Sequence, residues 1–505
     1  MQLAHRLILS LIFLVTANSA SAISIDETVE TWVGPIAKTL SSLVFFEVNF
    51  FGQAAPIIVL WLVAAALFFT VYMGFVNIRG FACAVRIARG DYKDPDAAGE
   101  ISHLQAVSTA ISGTVGIGNI GGVAVAIGVG GPGAAFWLFL AGVMGMSTKL
   151  VECTLGVKYR KINPDGSVSG GPMYYLEALL SERQFPRAGR LLGSFYALAL
   201  VIGCFGIGNM FQSNQAYVQF VNITGGEQSF FSERGWLFGL ILALTIGVVI
   251  IGGIRSIARV ASKLVPFMGI LYVISTVVIL FMSAEHLLGA IYLIISEAFS
   301  SQSATGGMIG AMVIGFQRAA FSNEAGIGSA SIAHSAVQTD EPASEGLVSL
   351  LEPFIDTVVI CTLSSLVIVA TAFPAGLMDS GLEGIELTSA AFEHHVSWAP
   401  YPLALAGLLF AFSTTLAWSY YGLQGWLYLV GNSSIAQLGF KLVFCSFVML
   451  GSMIQLTAVL DFSDAMVFLI SIPNIIGLYF LAPLVKREVN LYLKMIQNPH
   501  RGSID

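Results

Sequence analysis

A cluster of small and polar residues interrupts one of the apolar stretches of the sequence. From Ser112 to Asn119 it has the order Ser-Gly-Thr-Val-Gly-Ile-Gly-Asn. In hydrocarbon, unwound backbone is tolerated only where it lines a cavity, and a broken helix there offers N–H groups to an anion and C=O groups to a cation. An amino acid in its zwitterionic form carries both charges. The cluster therefore predicts a site for a small zwitterion together with a cation.

Two other interpretations of these glycines are weaker. Gly116, Gly118 and Gly121 have the G-x-G-x-x-G spacing of a dinucleotide-binding loop. That loop follows a strand and precedes a soluble helix, whereas these glycines lie inside an apolar stretch. Gly118 and Gly122 also have the G-x-x-x-G spacing of closely packed membrane helices. Packing alone does not explain why polar residues share the segment.

A second apolar stretch contains a similar interruption. From Phe321 to Gly328 it has the order Phe-Ser-Asn-Glu-Ala-Gly-Ile-Gly, again with Gly-Ile-Gly beside polar residues. The starts of the two interrupted stretches are five spans apart. This odd offset gives the two broken helices opposite orientations in a membrane. Paired glycine-interrupted segments of this kind indicate an inverted-repeat transporter whose site lies near the middle of the membrane.

The composition is typical of a helical membrane protein. The 505 residues have a mean hydropathy of +0.81, and only 10% of them are charged, against about 25% in soluble domains. Their apolar runs reach about twenty residues, the length of a spanning helix, and lack the short alternation of an outer-membrane barrel. Nucleic-acid binding is not indicated. An enzyme is also disfavoured, because the sequence has neither H-E-x-x-H nor G-x-S-x-G.

Eleven apolar stretches are long enough to cross a membrane. They lie near residues 56–78, 104–128, 134–157, 192–220, 236–253, 264–283, 305–335, 345–372, 401–430, 437–457 and 464–484. If the first loop is outside, Lys38 and Arg234 are the only basic residues of the outer loops, which agrees with the positive-inside rule. We therefore expect a multi-pass inner-membrane protein with a periplasmic mature N-terminus and a cytoplasmic C-terminus.

The two ends of the chain flank this membrane domain. Residues 1–22 have the pattern of a signal peptide, with Arg6 before an apolar stretch and a small-residue cleavage pattern ending at Ala22. The expected division is a periplasmic N-terminal segment at 23–55, a transporter domain at 56–484 and a cytoplasmic tail at 485–505.

Several longer motifs occur between about residues 56 and 484. They are Gly131-Pro132-Gly133-Ala134-Ala135-Phe136-Trp137, Gly145-Met146-Ser147-Thr148-Lys149 with Glu152, Gly170-Gly171-Pro172-Met173-Tyr174-Tyr175, Gly208-Asn209-Met210-Phe211-Gln212, Lys263-Leu264-Val265-Pro266-Phe267, Gln317-Arg318 with Phe321-Ser322-Asn323-Glu324-Ala325-Gly326, and Ser419-Tyr420-Tyr421-Gly422. Together they resemble the signature of the alanine/glycine:cation symporters, the sodium:alanine symporter family.

The resemblance implies an all-α polytopic membrane protein with about eleven transmembrane helices. Its core would be the inverted five-plus-five repeat of the neurotransmitter:sodium symporters, the LeuT-like fold, plus one extra N-terminal helix. Repeat one would cover about residues 104–283 and repeat two about 305–484.

The same resemblance implies which residues form the site. The expected substrate-binding residues are Thr114, Gly116, Ile117, Gly118, Asn119, Gln212, Phe321, Ser322, Glu324 and Ile327. The backbone N–H groups of Ile117 and Gly118 would hold the substrate carboxylate. The expected Na⁺ site consists of Ser112, Val115, Ala411, Thr414 and Thr415. A second cation site would use Thr114, Asn119 and Ser322.

The expected function is Na⁺-coupled symport of a small neutral amino acid, alanine and/or glycine, into the cell by alternating access. The expected partners are the amino acid, Na⁺ as coupling ion and the lipid bilayer, with no cofactor, and the protein is expected to function as a monomer. The alternative is a proton-coupled symporter or exchanger of the same fold for another amino acid, with Glu324 or Asp356 carrying the proton. Hydroxyls at Thr414 and Thr415 favour Na⁺, because they do not change charge near neutral pH.

Other ionisable residues inside spans must be paired or face a cavity. Lys149 and Glu152 lie three residues apart on one helix and are expected to pair locally. Arg318 is expected to pair with Glu324 or Asp356, as a gate or as a structural pair. Ile314 precedes the second interruption by one to two turns, so we expect it to influence the size of the pocket.

Overall fold

The computed structural model describes Pro35 and residues 38–92, 96–300, 307–382, 384–454 and 456–497. The predicted signal peptide at 1–22 lies outside the described residues. So do residues 23–34, 36 and 37 of the predicted N-terminal segment, and residues 498–505 of the predicted tail.

Two short antiparallel hairpins accompany a helical chain. One pairs β1 (Glu47–Phe50) with β2 (Gln53–Pro56), and the other pairs β3 (Lys161–Ile162) with β4 (Val168–Ser169). The helices are α1 (Ile57–Tyr72), α2 (Val76–Arg79), α3 (Phe81–Arg89), α4 (His103–Thr114), α5 (Gly121–Gly130), α6 (Gly133–Lys158), α7 (Pro172–Glu182), α8 (Pro186–Phe205), α9 (Phe211–Ile223), α10 (Gly235–Ile251), α11 (Gly253–Met282), α12 (Ala284–Ala298), α13 (Gly307–Asn323), α14 (Ala330–His334), α15 (Pro342–Val348), α16 (Leu351–Pro353), α17 (Thr362–Thr371), α18 (Gly384–His395), α19 (Pro400–Val430), α20 (Ser434–Gly451) and α21 (Leu456–Gln497).

Shorter helical pieces complete the longer elements. A π-helical turn at Gly206–Met210 joins α8 to α9, and another at Phe354–Cys361 joins α16 to α17. Turns of 3₁₀-helix lie at Ile117–Asn119, Gly226–Gln228 and Leu377–Asp379. The last helix, α21, continues to Gln497, past residue 484, where the tail is predicted to begin.

Many of these helices are long and apolar enough to cross a membrane. Among the described residues, seven meet that criterion, and α4 with α5 makes an eighth if the bent pair counts as one span. The apolar helices α1 and α10 are shorter, at 16 and 17 residues. The chain is therefore an all-α polytopic membrane protein, with the hairpins as minor additions.

The first predicted interruption is present between α4 and α5. Ser102 begins α4 with a capping box, in which its hydroxyl accepts from the Gln105 N–H and its own N–H donates to the Gln105 side chain. The helix ends because Val115 and Gly116 are extended, with ψ of 91° and −166°. The chain resumes as α5 after a bend of 62°.

The second predicted interruption lies between α13 and α14. Glu324, Gly326 and Gly328 have φ of 56°, 97° and 86°, in the left-handed region that favours glycine. Helix α13 therefore ends just before Glu324, and the two glycines allow the chain to turn before α14. Glu324 occupies this region without being a glycine, so its backbone must be held by the surrounding contacts.

Helix α6 supports the second interruption through small residues. It packs against α1, α13, α14 and α15. A Cβ built on Gly142 would lie 2.7 Å from Cγ2 of Thr357, and one on Gly156 would lie 2.7 Å from the Ser331 carbonyl oxygen. Small residues allow such close approach between membrane helices. This packing places α6 against the helices that carry the second interruption.

A similar close contact joins the π-helical turn at Gly206–Met210 to α19. A Cβ built on Gly208 would lie 1.9 Å from Cγ of Trp418, so the indole ring lies directly against the Gly208 backbone. Trp418 is completely buried.

Gly208→Ala tests this contact. The added methyl group cannot fit beside Trp418, so one helix must shift, and we expect a destabilisation of about 1–3 kcal/mol. The measurement is thermal unfolding in detergent. Gly269→Ala in α11 is the matched control, because its Cβ would have no neighbour within 4 Å. Equal unfolding temperatures for the two variants would contradict the close packing at Gly208.

Candidate functional site

The first broken helix exposes backbone donors at its interruption. The Gly116 N–H donates to Oδ1 of Asn119 at 2.9 Å, and the Ile117 N–H donates to Oε1 of Gln212 at 3.2 Å. Within the described part of the chain, the Gly118 N–H has no hydrogen-bond acceptor. All of these groups are buried. Of the two N–H groups predicted to hold a carboxylate, that of Ile117 is therefore bonded to a side chain and that of Gly118 has no acceptor among the described residues.

The second broken helix obtains its partners from other helices. The Gly326 N–H donates to Oε1 of Glu152 at 2.9 Å, and the Gly326 carbonyl accepts from Nδ2 of Asn474 at 2.9 Å. Nδ2 of Asn474 also donates to Oε1 of Glu152, at 2.8 Å. The Ile327 carbonyl accepts from the hydroxyl of Tyr196 at 2.9 Å. Side chains from α6, α8 and α21 therefore satisfy the backbone that α13 cannot.

The two broken helices meet in a buried cluster that we call the Asn119 cluster: Asn119, Ser322, Asp356 and Thr357. Nδ2 of Asn119 lies 3.0 Å from Oγ of Ser322 and 2.6 Å from Oδ1 of Asp356. The hydroxyls of Ser322 and Thr357 donate to Oδ2 of Asp356 at 2.7 and 2.6 Å. The Asp356 carboxylate therefore receives hydrogen bonds from both broken helices.

The residues of the predicted second cation site differ in their surroundings. Asn119 and Ser322 are in contact, but the hydroxyl of Thr114 lies 3.3 Å from the Ala110 and Ile111 carbonyls of its own helix. Asp356, which the sequence offers together with Glu324 as a partner for Arg318, joins Asn119 and Ser322.

Two of the predicted Na⁺ ligands approach each other across helices. Oγ1 of Thr414 lies 3.4 Å from the Val115 carbonyl oxygen, and a Cβ built on Gly116 would lie 2.8 Å from the same hydroxyl. The hydroxyls of Ser112 and Thr415 bond to carbonyls of their own helices, the Thr415 partner being that of Ala411. All these ligand atoms are oxygens, the type that hard cations prefer.

An aromatic side chain covers the first interruption. A Cβ built on Gly118 would lie 3.4 Å from Cδ1 of Phe321. The Phe321 ring also packs edge-to-face against Phe211, with 5.4 Å between centroids. Gln212 lies on the adjoining side, where its amide is within 3.3 Å of a Cβ built on Gly116. The space beside Gly118 is therefore bounded by Phe321 and Gln212.

Two of the predicted substrate-binding residues have hydrogen-bond partners within the protein. The Glu324 carboxylate accepts from Nε1 of Trp418 at 2.9 Å and from the Ser329 hydroxyl. The Ile327 carbonyl is bonded to Tyr196, and its side chain is buried. Sequence reasoning missed Trp418, although it lies four residues after Thr414 and hence on the same face of α19.

Three ionic and packing predictions differ from the structure. Lys149 donates to Oε1 of Glu352 at 2.9 Å, and its predicted partner Glu152 bonds to Gly326 instead. Arg318 pairs with Asp464 of α21, through Oδ2 and, at 3.4 Å, Oδ1.

The pocket prediction for Ile314 is also wrong. Its side chain packs at Gly130, at the far end of α5 from the interruption, where a built Cβ would lie 2.9 Å from Cγ2 of Ile314. The ring beside Gly118 belongs to Phe321.

Comparison with known proteins identifies the family of the chain. The model of the sodium:alanine symporter family matches residues 38–504. The chain belongs to this family. Sodium/alanine symporter AgcS of Methanococcus maripaludis is 36% identical over 452 residues, which cover 89% of this chain and 96% of the relative. The "Probable sodium/glutamine symporter GlnT" of Bacillus subtilis is 31% identical over 442 residues, which cover 87% and 88% of the two chains.

A solved structure supports the fold of this family member. The crystal structure of MhsT in complex with L-phenylalanine aligns with a TM-score of 0.54 at 16% identity, over 78% of this chain and 99% of that one. The predicted family resemblance is confirmed, and the protein is a transporter rather than an enzyme.

Ser322→Ala tests the Asn119 cluster. The substitution removes one hydrogen-bond partner from the Asn119 amide and one from the Asp356 carboxylate. We therefore expect the free energy of unfolding to fall by about 1–3 kcal/mol. Thermal unfolding in detergent provides the measurement. Ser365→Ala is the control, since its buried hydroxyl donates to the Cys361 carbonyl one turn away. If both variants unfold at the same temperature, the cluster does not join the two broken helices.

Proposed function

We propose that the chain is a Na⁺-coupled symporter that carries a small neutral amino acid, alanine and/or glycine, into the cell by alternating access. The observation that carries the proposal is the meeting of the two broken helices at Asn119 and Ser322, 3.0 Å apart. Such a meeting point offers backbone and side-chain ligands of both polarities in one buried place.

The first support comes from the donors for a carboxylate. The Gly118 N–H lacks an acceptor within the described residues, and the Ile117 N–H is held by Gln212. A substrate carboxylate would accept from Gly118 and replace Gln212 at Ile117. An ionised acceptor forms the stronger hydrogen bond, so this replacement is favourable.

The second support comes from the size of the space beside Gly118. The Phe321 ring lies at van der Waals distance from where a Gly118 side chain would be. A large substrate side chain would have to displace this ring and its partner Phe211. The arrangement therefore favours alanine or glycine. Glutamine, which the name of one relative gives as its substrate, has a larger side chain and would require this displacement.

The third support comes from the oxygen atoms next to Gly116. The Val115 carbonyl and the Thr414 hydroxyl come from α4 and α19, so a cation between them would join the two helices. Ser112, Ala411 and Thr415 would supply the remaining oxygens. A second cation would lie at the Asn119 cluster, where Asp356 adds a negative charge.

The proposed membrane arrangement follows from the two broken helices. We propose eleven crossings, with α1 as the extra helix and two inverted repeats of five that begin with α4 and α13. The cytoplasmic end of the bundle would be the one at which α4 begins. The protein would act as a monomer in the inner membrane, with a periplasmic mature N-terminus after cleavage of residues 1–22.

Uptake of labelled alanine and glycine into proteoliposomes tests the proposed function. An inward Na⁺ gradient should drive accumulation, and a sodium ionophore that collapses the gradient should abolish it. Equal K⁺ gradients should drive none. Uptake that persists after the Na⁺ gradient is collapsed would contradict Na⁺ coupling. Uptake driven by a proton gradient alone would favour the alternative with Glu324 or Asp356 as proton carrier.

Thr414→Ala tests the Na⁺ site. Removal of a ligand worth about 1–2 kcal/mol should raise the Na⁺ concentration for half-maximal uptake on the order of tenfold, with folding retained. The matched control is Ser413→Ala, because the neighbouring hydroxyl faces Sδ of Met268 in α11. An unchanged Na⁺ dependence in Thr414→Ala would exclude this hydroxyl as a ligand.

A further inference from the structure

Ionisable side chains form a buried chain outside the proposed substrate and Na⁺ residues. We call it the His334 network: Lys149, Glu352, His334, Glu345 and His103. Nζ of Lys149 lies 2.9 Å from Oε1 of Glu352, whose Oε2 lies 3.7 Å from Nε2 of His334. Nδ1 of His334 lies 2.5 Å from Oε1 of Glu345, and Nδ1 of His103 contacts the other oxygen of Glu345. Four of the five side chains are completely buried.

The network joins the two broken helices at the end of the bundle where α4 begins. His103 is the first residue of α4, and His334 is the last residue of α14. Both bond to Glu345 of α15, which therefore holds the two half-helices together. The side chain of His103 is 7% exposed, so it is the member of the network closest to water.

Two atoms of the network face each other without a hydrogen-bond partner. Among the described residues, Nε2 of His334 and Oε2 of Glu352 are both buried and unpartnered. An ionised Glu345 carboxylate can only accept a hydrogen bond, so its contact with Nδ1 of His334 places a hydrogen on that nitrogen. A neutral His334 would then direct the lone pair of Nε2 at a carboxylate oxygen. A proton on Nε2 converts this contact into one between opposite charges.

The surrounding charges also favour a proton here. The titratable groups that interact with members of the network are Glu152, Glu324, Asp356, Arg160, Cys153 and Tyr421. Five carboxylates, including Glu345 and Glu352, thus face two cations, Lys149 and Arg160. Buried carboxylates are costly unless they are paired, so an additional positive charge at His334 reduces the imbalance.

We propose that His334 binds a proton between Glu345 and Glu352 while α4 and α14 are packed against α15, and releases it when these half-helices separate. The proposal rests on the alternating access put forward above. Separation removes His103 from Glu345 and admits water, so the proton is no longer held between two carboxylates. A proton bound only in the packed state stabilises that state at low pH, and rising pH favours separation.

The test is a distance between spin labels on α4 and α21 as a function of pH. Leu104 and Leu491 are exposed, at 53% and 58%, and suit label attachment through Leu104→Cys and Leu491→Cys. The partly exposed Cys83 and Cys445 are replaced by serine, and the other native cysteines are buried. Between pH 6 and 8.5 the ratio of separated to packed molecules should rise, by up to about tenfold per pH unit for one proton.

Variants connect this response to His334. His334→Gln cannot titrate but can still donate to Glu345, so its distance distribution should not change with pH. His286→Gln, at an exposed histidine near Glu285 in α12, is the matched control and should respond as the wild type does. If His334→Gln does not fold, Glu352→Gln takes its place, because it removes the carboxylate that faces Nε2.

Two results would overturn the proposal. One is a wild-type distribution that is the same at every pH, and the other is a His334→Gln or Glu352→Gln response as large as that of the wild type. The distance measurement uses neither substrate nor Na⁺. If Na⁺-driven uptake fails at constant pH, the proposed function is contradicted, but the pH dependence of the distance is not affected. The two failures can therefore be distinguished.

Discussion

The structure depends on one constraint: backbone that leaves a helix inside the membrane must find hydrogen-bond partners within the protein. Each unsatisfied group in hydrocarbon costs several kcal/mol. At the first interruption Asn119 and Gln212 accept from Gly116 and Ile117, and at the second Glu152 and Asn474 bond to Gly326. Gln212, Glu152 and Asn474 lie in other spans, and their polar side chains form hydrogen bonds with the backbone of the interruptions. Because these partners come from several helices, each interruption is fastened to its surroundings.

Buried charges follow a related rule, since each requires a compensating charge. Lys149 meets Glu352, and Arg318 meets Asp464, and each pair joins helices that are distant in sequence. Breaking one partner of such a pair leaves an isolated charge, which costs far more than the pair contributes. The pairs therefore determine which helices can separate easily. The small residues on α6 also limit how far its neighbouring helices can move, because the close contacts at Gly142 and Gly156 leave little space.

The sequence was most informative where one residue type changes the backbone directly. Both interruptions could be predicted, because glycines beside polar residues are unfavourable in a continuous helix that faces lipid. The proximity of Val115 to Thr414 and of Gly118 to Phe321 followed only from family resemblance. Partners of charged residues could not be predicted, because spacing identifies neighbours on one helix alone. Lys149 and Glu152 have favourable local spacing, yet Lys149 pairs with a residue 203 positions away.

The role of Gln212 shows why a binding site must be stable without its ligand. A buried N–H group with no acceptor costs about 1–3 kcal/mol, so two open donors at Ile117 and Gly118 would destabilise the empty site. Gln212 satisfies one of them with a neutral amide oxygen. A carboxylate makes the stronger bond and can replace the amide, whereas a neutral group has little advantage over it. A single side chain can thus protect the interruption and also favour anionic groups at the position where the proposed substrate carboxylate would bind.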